Sequence, residues 1–178
     1  MPENYERDEP LDRYYRTTKI VYAHLKDNGE IVTDEFIKGT GVAKYDAGWE
    51  TIQGEWFFDK SDEVYKKENA GGFEMRGITD GSYLVFPKIQ NMPTNALLKV
   101  RVANGGDSPC TLEIRKEGPH GELLGKCAVG NTGGSGDFGV FDIALKNTAG
   151  THGICFVFRT GSGEEVRFED FCFEKANG

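Results

Sequence analysis

Short runs of alternating residues, each cut off by a turn rich in glycine, asparagine or aspartate, recur along most of this chain and leave little room for helix. One unit shows the grammar. In Gly77-Ile-Thr-Asp-Gly-Ser-Tyr-Leu-Val-Phe86 an Asp80-Gly81 turn pair runs straight into a strand. Tyr83 and Val85 then take one face and Leu84 and Phe86 the other, as a period of two requires. The pattern predicts strands over 83–86, 96–103, 110–115, 123–129, 139–145, 153–159 and 166–173, separated by turns such as Gly118-Pro-His-Gly121 and Gly130-Asn-Thr-Gly-Gly134. Leu98, Val100 and Val102 alternate with Lys99, Arg101 and Ala103, so their sheet has one dry face and one wetter face.

With 24 glycines and 6 prolines in 178 residues, few windows are long enough for a helix, and residues 60–69 are the best candidate. Regularly spaced short strands with Gly-rich turns argue an all-β fold, an antiparallel β-sandwich. The length suits one well-buried core with an appendage. Upstream, residues 19–25, the turn Asp27-Asn28-Gly29 and residues 31–36 read as an N-terminal β-hairpin after a loose lead, and residues 51–58 open a new strand. The expected division falls near Asp46: a tail and hairpin over 1–46, and the sandwich over 47–178.

A net charge of −8 without a Lys/Arg cluster argues against nucleic acid. No stretch approaches transmembrane length, and the acidic N-terminus carries no signal peptide. Cys110, Cys127, Cys155 and Cys172 form no CxxC pair and the three histidines are far apart, which argues against zinc. The cysteines read as small core or sheet residues, with disulfides as the alternative. Gly134-Ser-Gly-Asp-Phe-Gly139 satisfies GxGxxG, but a strand is expected after it where a dinucleotide site needs a helix. Glu164-Glu165 and Glu169-Asp170 have no second carboxylate pair across a cleft, so no glycosidase constellation is present and the chain is expected not to be an enzyme.

Four segments carry a resemblance. Gln53-Gly-Glu-Trp56, Gly77-Ile-Thr-Asp-Gly-Ser-Tyr83, Thr111-Leu-Glu-Ile-Arg115 and Gly150-Thr-His-Gly-Ile-Cys-Phe-Val-Phe158 stand in the order and near the spacing of the family 6 carbohydrate-binding modules. Residues from about 47 to 178 resemble that family, a jelly-roll sandwich appended to polysaccharide-degrading enzymes. The preceding hairpin, Lys19-Ile-Val-Tyr-Ala-His-Leu-Lys-Asp-Asn-Gly-Glu-Ile31, resembles the end of the propeller of family 43 glycoside hydrolases.

The resemblance implies a non-catalytic module that recognises plant cell-wall polysaccharide of the xylan, arabinoxylan or β-glucan type. Its expected setting is extracellular, as a monomeric unit attached to a glycosidase domain. The alternative is a structural spacer against the propeller with its sugar sites lost. Two sugar sites are implied. In the loop cleft, Phe138 stands for one stacking aromatic, Gly77 replaces the other, Arg167 replaces an asparagine, and Gln53 lines the neighbouring edge. On the concave sheet face, Tyr83 stands for the stacking tryptophan and Glu113 for the sugar-bonding carboxylate, so this site is expected to dominate. The family also implies one structural Ca²⁺, with Glu55 and Glu169 at the acidic ligand positions.

Overall fold

The computed structural model describes residues 20–34, 42–161 and 165–174. The expected lead over residues 1–10, the outer parts of both hairpin strands and Glu164 lie outside them. The hairpin pairs β1 (Ala23–Leu25) with β2 (Ile31–Thr33) across the expected turn. Then follow β3 (Ile52–Gln53), a 3-10 turn (Gly54–Trp56), β4 (Asp59–Lys60), β5 (Tyr65–Asn69), β6 (Gly72–Ile78), β7 (Tyr83–Met92), β8 (Leu97–Asn104), β9 (Cys110–Lys116), β10 (Leu123–Val129), β11 (Gly139–Ala144), β12 (Gly150–Arg159) and β13 (Val166–Phe173). They form two antiparallel sheets, ordered β10-β9-β12-β7-β4 and β11-β8-β13-β6-β5, with β3 added on β13. The fold is the all-β sandwich that the alternation predicts.

The sheets face each other across phenylalanine. Phe86, Phe156, Phe168 and Phe171 are fully buried, and Phe156 meets Phe171 at 4.8 Å and Phe168 at 4.9 Å between ring centroids. Leu84, Leu98, Val100, Val102, Leu112 and Ile114 complete the core from the inward positions of their strands. Each such side chain contributes about 1.5–3 kcal/mol on burial. Cys110 is buried on the face of Leu112 and Ile114, as the alternation places it, and Cys127, Cys155 and Cys172 are free thiols. A strand, β11, follows the GxGxxG run, so no helix N-terminus meets that loop.

Two local expectations are corrected. Residues 60–69 form no helix. Tyr65–Asn69 is instead an edge strand on β6, in the register Tyr65↔Arg76 to Asn69↔Gly72. The run Lys66-Lys67-Glu68 is a good helix former, but β6 leaves an unpaired row of backbone groups, and pairing to it outweighs a short isolated helix. Nor is 51–58 one strand. A Cβ built on Gly54 would lie 2.6 Å from the Glu169 carbonyl oxygen, and at this close approach to β13 the chain leaves the ladder as the 3-10 turn.

The hairpin is tied to the sandwich at one polar and aromatic knot. His24, 2% exposed, places Nε2 2.8 Å from Asp34 Oδ2, while Lys66 Nζ lies 3.1 Å from Nδ1. An ammonium can only donate, so Nδ1 accepts and the ring proton sits on Nε2, facing Asp34. Trp56 Nε1 donates to the same carboxylate, and the Trp56 ring stacks on Tyr22 at 5.9 Å. Tyr45, just before the expected division at Asp46, is buried in the sandwich core and bonds the Tyr22 hydroxyl at 2.9 Å.

Asp34→Ala removes the acceptor of both His24 and Trp56 and is expected to weaken docking by about 1–3 kcal/mol. Hydrogen exchange should then rise in β1 and β2 while β7, β12 and β13 keep their protection. Unchanged exchange in the hairpin would show that its other ties, Tyr22 to Tyr45 and Asp27 to Lys67 among them, hold it without Asp34.

Candidate functional site

The outer face of the five-stranded sheet brings the first pair of predicted residues together. Register sets Val157 on β12 opposite Tyr83 on β7 and opposite Glu113 on β9, and Glu113 opposite Lys126 on β10. Tyr83, Val157, Glu113 and Lys126 therefore form one cross-strand row, spanning roughly 14 Å at ordinary strand spacing. Beneath lies an apolar floor: Val85, Cys155 and Val157 point away from the main core yet are 8%, 0% and 1% exposed, with Tyr83 packed against them. Burial pushes the Cys155 thiol up to about 12, so it is an inert part of that floor.

Polar groups edge the floor. Glu113 Oε2 accepts from Arg115 Nε at 3.0 Å and Nη2 at 2.9 Å, and Arg159 Nε lies 3.6 Å away. Arg115 also donates from Nη1 to the Gly121 carbonyl at 3.0 Å. The Tyr83 hydroxyl is 3.5 Å from Asp59 Oδ2; partial desolvation first, and the Asp59 charge second, raise its pKa above the ordinary phenol value. An aromatic plane beside hydrogen-bonding groups over a dry floor is suited to a pyranose, which has an apolar C–H face and a polar rim.

The loop-cleft residues belong to the other sheet. Phe138 lies in the loop before β11, with the Arg101 guanidinium carbon 6.0 Å from its ring centroid. Arg167, on β13, is heavily engaged: Nη2 reaches Glu165 at 2.8 Å and Ser135 Oγ at 3.0 Å, and Nη1 reaches the 2%-exposed Glu74 carboxylate at 3.3 Å. Glu74 also binds Arg76. Gln53 pairs with Asp170, which Arg101 holds at 3.2 Å, so Gln53 sits beyond Arg101 from the loop rather than beside Phe138. Of the carboxylates weighed as catalytic, Glu165, Glu169 and Asp170 are thus all paired with arginines.

The missing aromatic at Gly77 has a replacement that the sequence did not reveal. Gly77 has φ +73°, and a Cβ there would lie 2.3 Å from the Glu63 carbonyl oxygen and 3.0 Å from the Tyr65 ring. Backbone and ring both require glycine at that point. The half-exposed Tyr65 ring takes the space from the adjacent strand. Its cross-strand neighbour Arg76 continues to Glu165, Arg167 and Ser135, which lies three positions before Phe138 in the same loop. The only sequence signal was the alternation of Tyr65, Lys67 and Asn69, hidden inside a helix-like composition.

Glu55 and Glu169 were tested as cation ligands by their own satisfaction. Glu55 Oε2 is buried without a hydrogen-bond partner, and burial raises the carboxyl to about 7. A buried, unsatisfied carboxylate oxygen fits a hard cation. Glu169 Oε2 is likewise buried without a hydrogen bond, but it faces the Arg101 charge at 2.7 Å, and Oε1 accepts from Asn69 at 3.3 Å. The Glu169 carbonyl oxygen lies against Gly54, next to Glu55 in the chain. Among the described residues, no group of three His, Cys, Asp or Glu side chains gathers as a metal cluster, so any site here draws mainly on backbone carbonyls.

Comparison with known proteins matches this arrangement. Among solved structures, a family 6 module of Clostridium stercorarium in complex with cellobiose is 26% identical, covering 75% of this chain and 98% of that one at a TM-score of 0.65. A β-1,3-glucan-binding family 6 module of Bacillus halodurans is 24% identical, covering 74% and 99%, also at 0.65. A family 43 arabinoxylan arabinofuranohydrolase of Bacillus subtilis is 18% identical; the match covers 86% of this chain but 33% of that one, at 0.66. A search of the curated proteins finds no match. The family model for carbohydrate-binding modules of family 6 matches residues 53–175, the whole of the sandwich from β3 to the end of β13. The chain belongs to the family 6 carbohydrate-binding modules.

Proposed function

We propose that this chain is a non-catalytic module that holds a glycoside hydrolase on plant cell-wall polysaccharide of the xylan, arabinoxylan or β-glucan type. The observation that carries this reading is the row Tyr83, Val157, Glu113 across three strands above the Val85, Cys155 and Val157 floor. The part of this row that a sugar can reach is the partly buried Tyr83 ring beside Glu113, and the covered Val85, Cys155 and Val157 hold that ring in place. The partial match to the family 43 enzyme extends over more of the chain than the isolated modules do, which supports attachment to such an enzyme and, with it, an extracellular setting.

The outer sheet face is ranked above the loop cleft. Tyr65 and Phe138 offer two aromatic surfaces on that side, but Arg167 is held by Glu165, Glu74 and Ser135, and a sugar hydroxyl must break those bonds to use it. Truncating the principal stacking residue should cost about 2 kcal/mol, or roughly thirtyfold in affinity. Calorimetric titration of one soluble oligosaccharide is therefore expected to show that loss for Tyr83→Ala and a smaller one for Phe138→Ala or Tyr65→Ala. The reverse order would move the site to the loop cleft. Absence of binding to the whole panel of xylan, arabinoxylan, mannan and mixed-linkage glucan would favour the spacer reading. No sugar should be released from any of them.

A structural Ca²⁺ held by the Glu55 carboxylate and neighbouring carbonyls, among them that of Glu169, is part of the proposal. It would relieve the unsatisfied Glu55 oxygen. Calcium at about a hundred times its Kd should raise Tm by roughly 5–10 °C over chelated protein, and Glu55→Gln should abolish the increment. A Tm indifferent to chelator and calcium removes the ion from the proposal.

A further inference from the structure

The protein has a formal net charge of −8, and the outer face of the five-stranded sheet carries charges of both signs. Around the row of Tyr83, Val157, Glu113 and Lys126 stand three cations, Arg115, Arg159 and Lys126, and three carboxylates, Glu113, Asp59 and Asp62, while Glu117 lies farther along against Gly153. Glu113 Oε2 takes Nε and Nη2 of Arg115, and Asp59 faces the Tyr83 hydroxyl. Arg115 also donates to the Gly121 carbonyl.

Two cations remain on offer. Arg159 follows Val157 by two positions on β12, stands opposite Thr111, and keeps 46% of its side chain exposed. Among the described residues its single ion contact is the 3.6 Å approach of Nε to Glu113, while Nη1 extends toward Gly81, next to the Tyr83 end of the row. Lys126, at the other end, is exposed and enters no ion pair among the described residues. Both flank a Glu113 already paired with Arg115. The planar guanidinium fork of Arg159 matches a carboxylate, and the Lys126 ammonium adds a second charge on the same face.

We propose that this face selects an acidic polysaccharide, one whose backbone or branches bear uronic acid carboxylates. A neutral ring stacks on Tyr83 and the carboxylate of a nearby unit meets Arg159 and Lys126. Two lightly paired cations on an otherwise acidic protein then work as selection: the molecule as a whole repels the polyanion, and only the face that pairs its carboxylates binds it. This inference rests on the sugar-binding reading above.

The test compares a uronate-bearing xylo-oligosaccharide with the same compound after carboxyl reduction, which turns each uronate into a neutral sugar of the same linkage. Calorimetry is expected to give about tenfold tighter binding of the acidic form, the effect of one or two charge-assisted hydrogen bonds at a half-exposed site. That advantage should shrink as salt is raised. Arg159→Gln with Lys126→Gln should bring the affinity for the acidic form down to that for the reduced form. Lys99→Gln, on the other sheet, should leave the preference intact, and melting curves confirm that each variant is folded. Equal binding of the two compounds, or a preference that survives the double substitution, overturns the inference while leaving sugar binding in place. Binding of neither overturns the sugar-binding reading and this inference together.

Discussion

Everything distinctive about this protein depends on the packing of Phe86, Phe156, Phe168 and Phe171 between the two sheets. All four lie on the strands that also carry the candidate sites: Phe86 on β7 with Tyr83, Phe156 on β12 with Arg159, and Phe168 and Phe171 on β13 with Arg167. In a strand, an inward residue commits its neighbours outward. Once Leu84 and Phe86 are fixed in the core, Tyr83 and Val85 must face out. Once Phe156 and Phe158 are fixed, Cys155, Val157 and Arg159 must face out beside them. Core packing therefore aims the outer face, and a register slip of one residue in β12 would bury Arg159 and break the core in the same step.

The two sheets use their outer faces differently, and charge explains how. On the six-stranded sheet, Arg167 with Glu165 and Glu74, and Arg101 with Glu169 and Asp170, make a face that is polar and closed on itself. Glu74, at 2% exposed, is paired with both Arg76 and Arg167. On the five-stranded sheet the ion pairs ring an apolar centre and leave cations over. The first pattern is stable without a ligand. The second leaves the Tyr83 ring and two lightly paired cations open above a floor that is already covered.

The sequence by itself determined the sandwich, the bounds of several strands, and the faces of Tyr83 and Glu113, while four matching segments carried the likeness to the family. The strands and faces follow from period-two alternation and turn chemistry, which are local: Asp80-Gly81 starts β7 wherever the rest of the chain goes, and β10 and β13 fall at the expected residues, whereas β6 was not foreseen and β7 runs on to Met92. Tertiary structure alone decided the rest. Lys66-Lys67-Glu68 has helix-forming composition, and only the unpaired edge of β6 makes it a strand. Gly77 reads as a lost wall until Tyr65, twelve positions upstream, is seen leaning into the space that the missing side chain leaves. Arg159 and Lys126 are unremarkable charges in the sequence, and become a pair around Glu113 because β12 and β10 flank β9 on either side. Alternation tells which face a residue takes. Which residues from distant strands share that face depends on sheet order, set by packing between segments far apart in the chain.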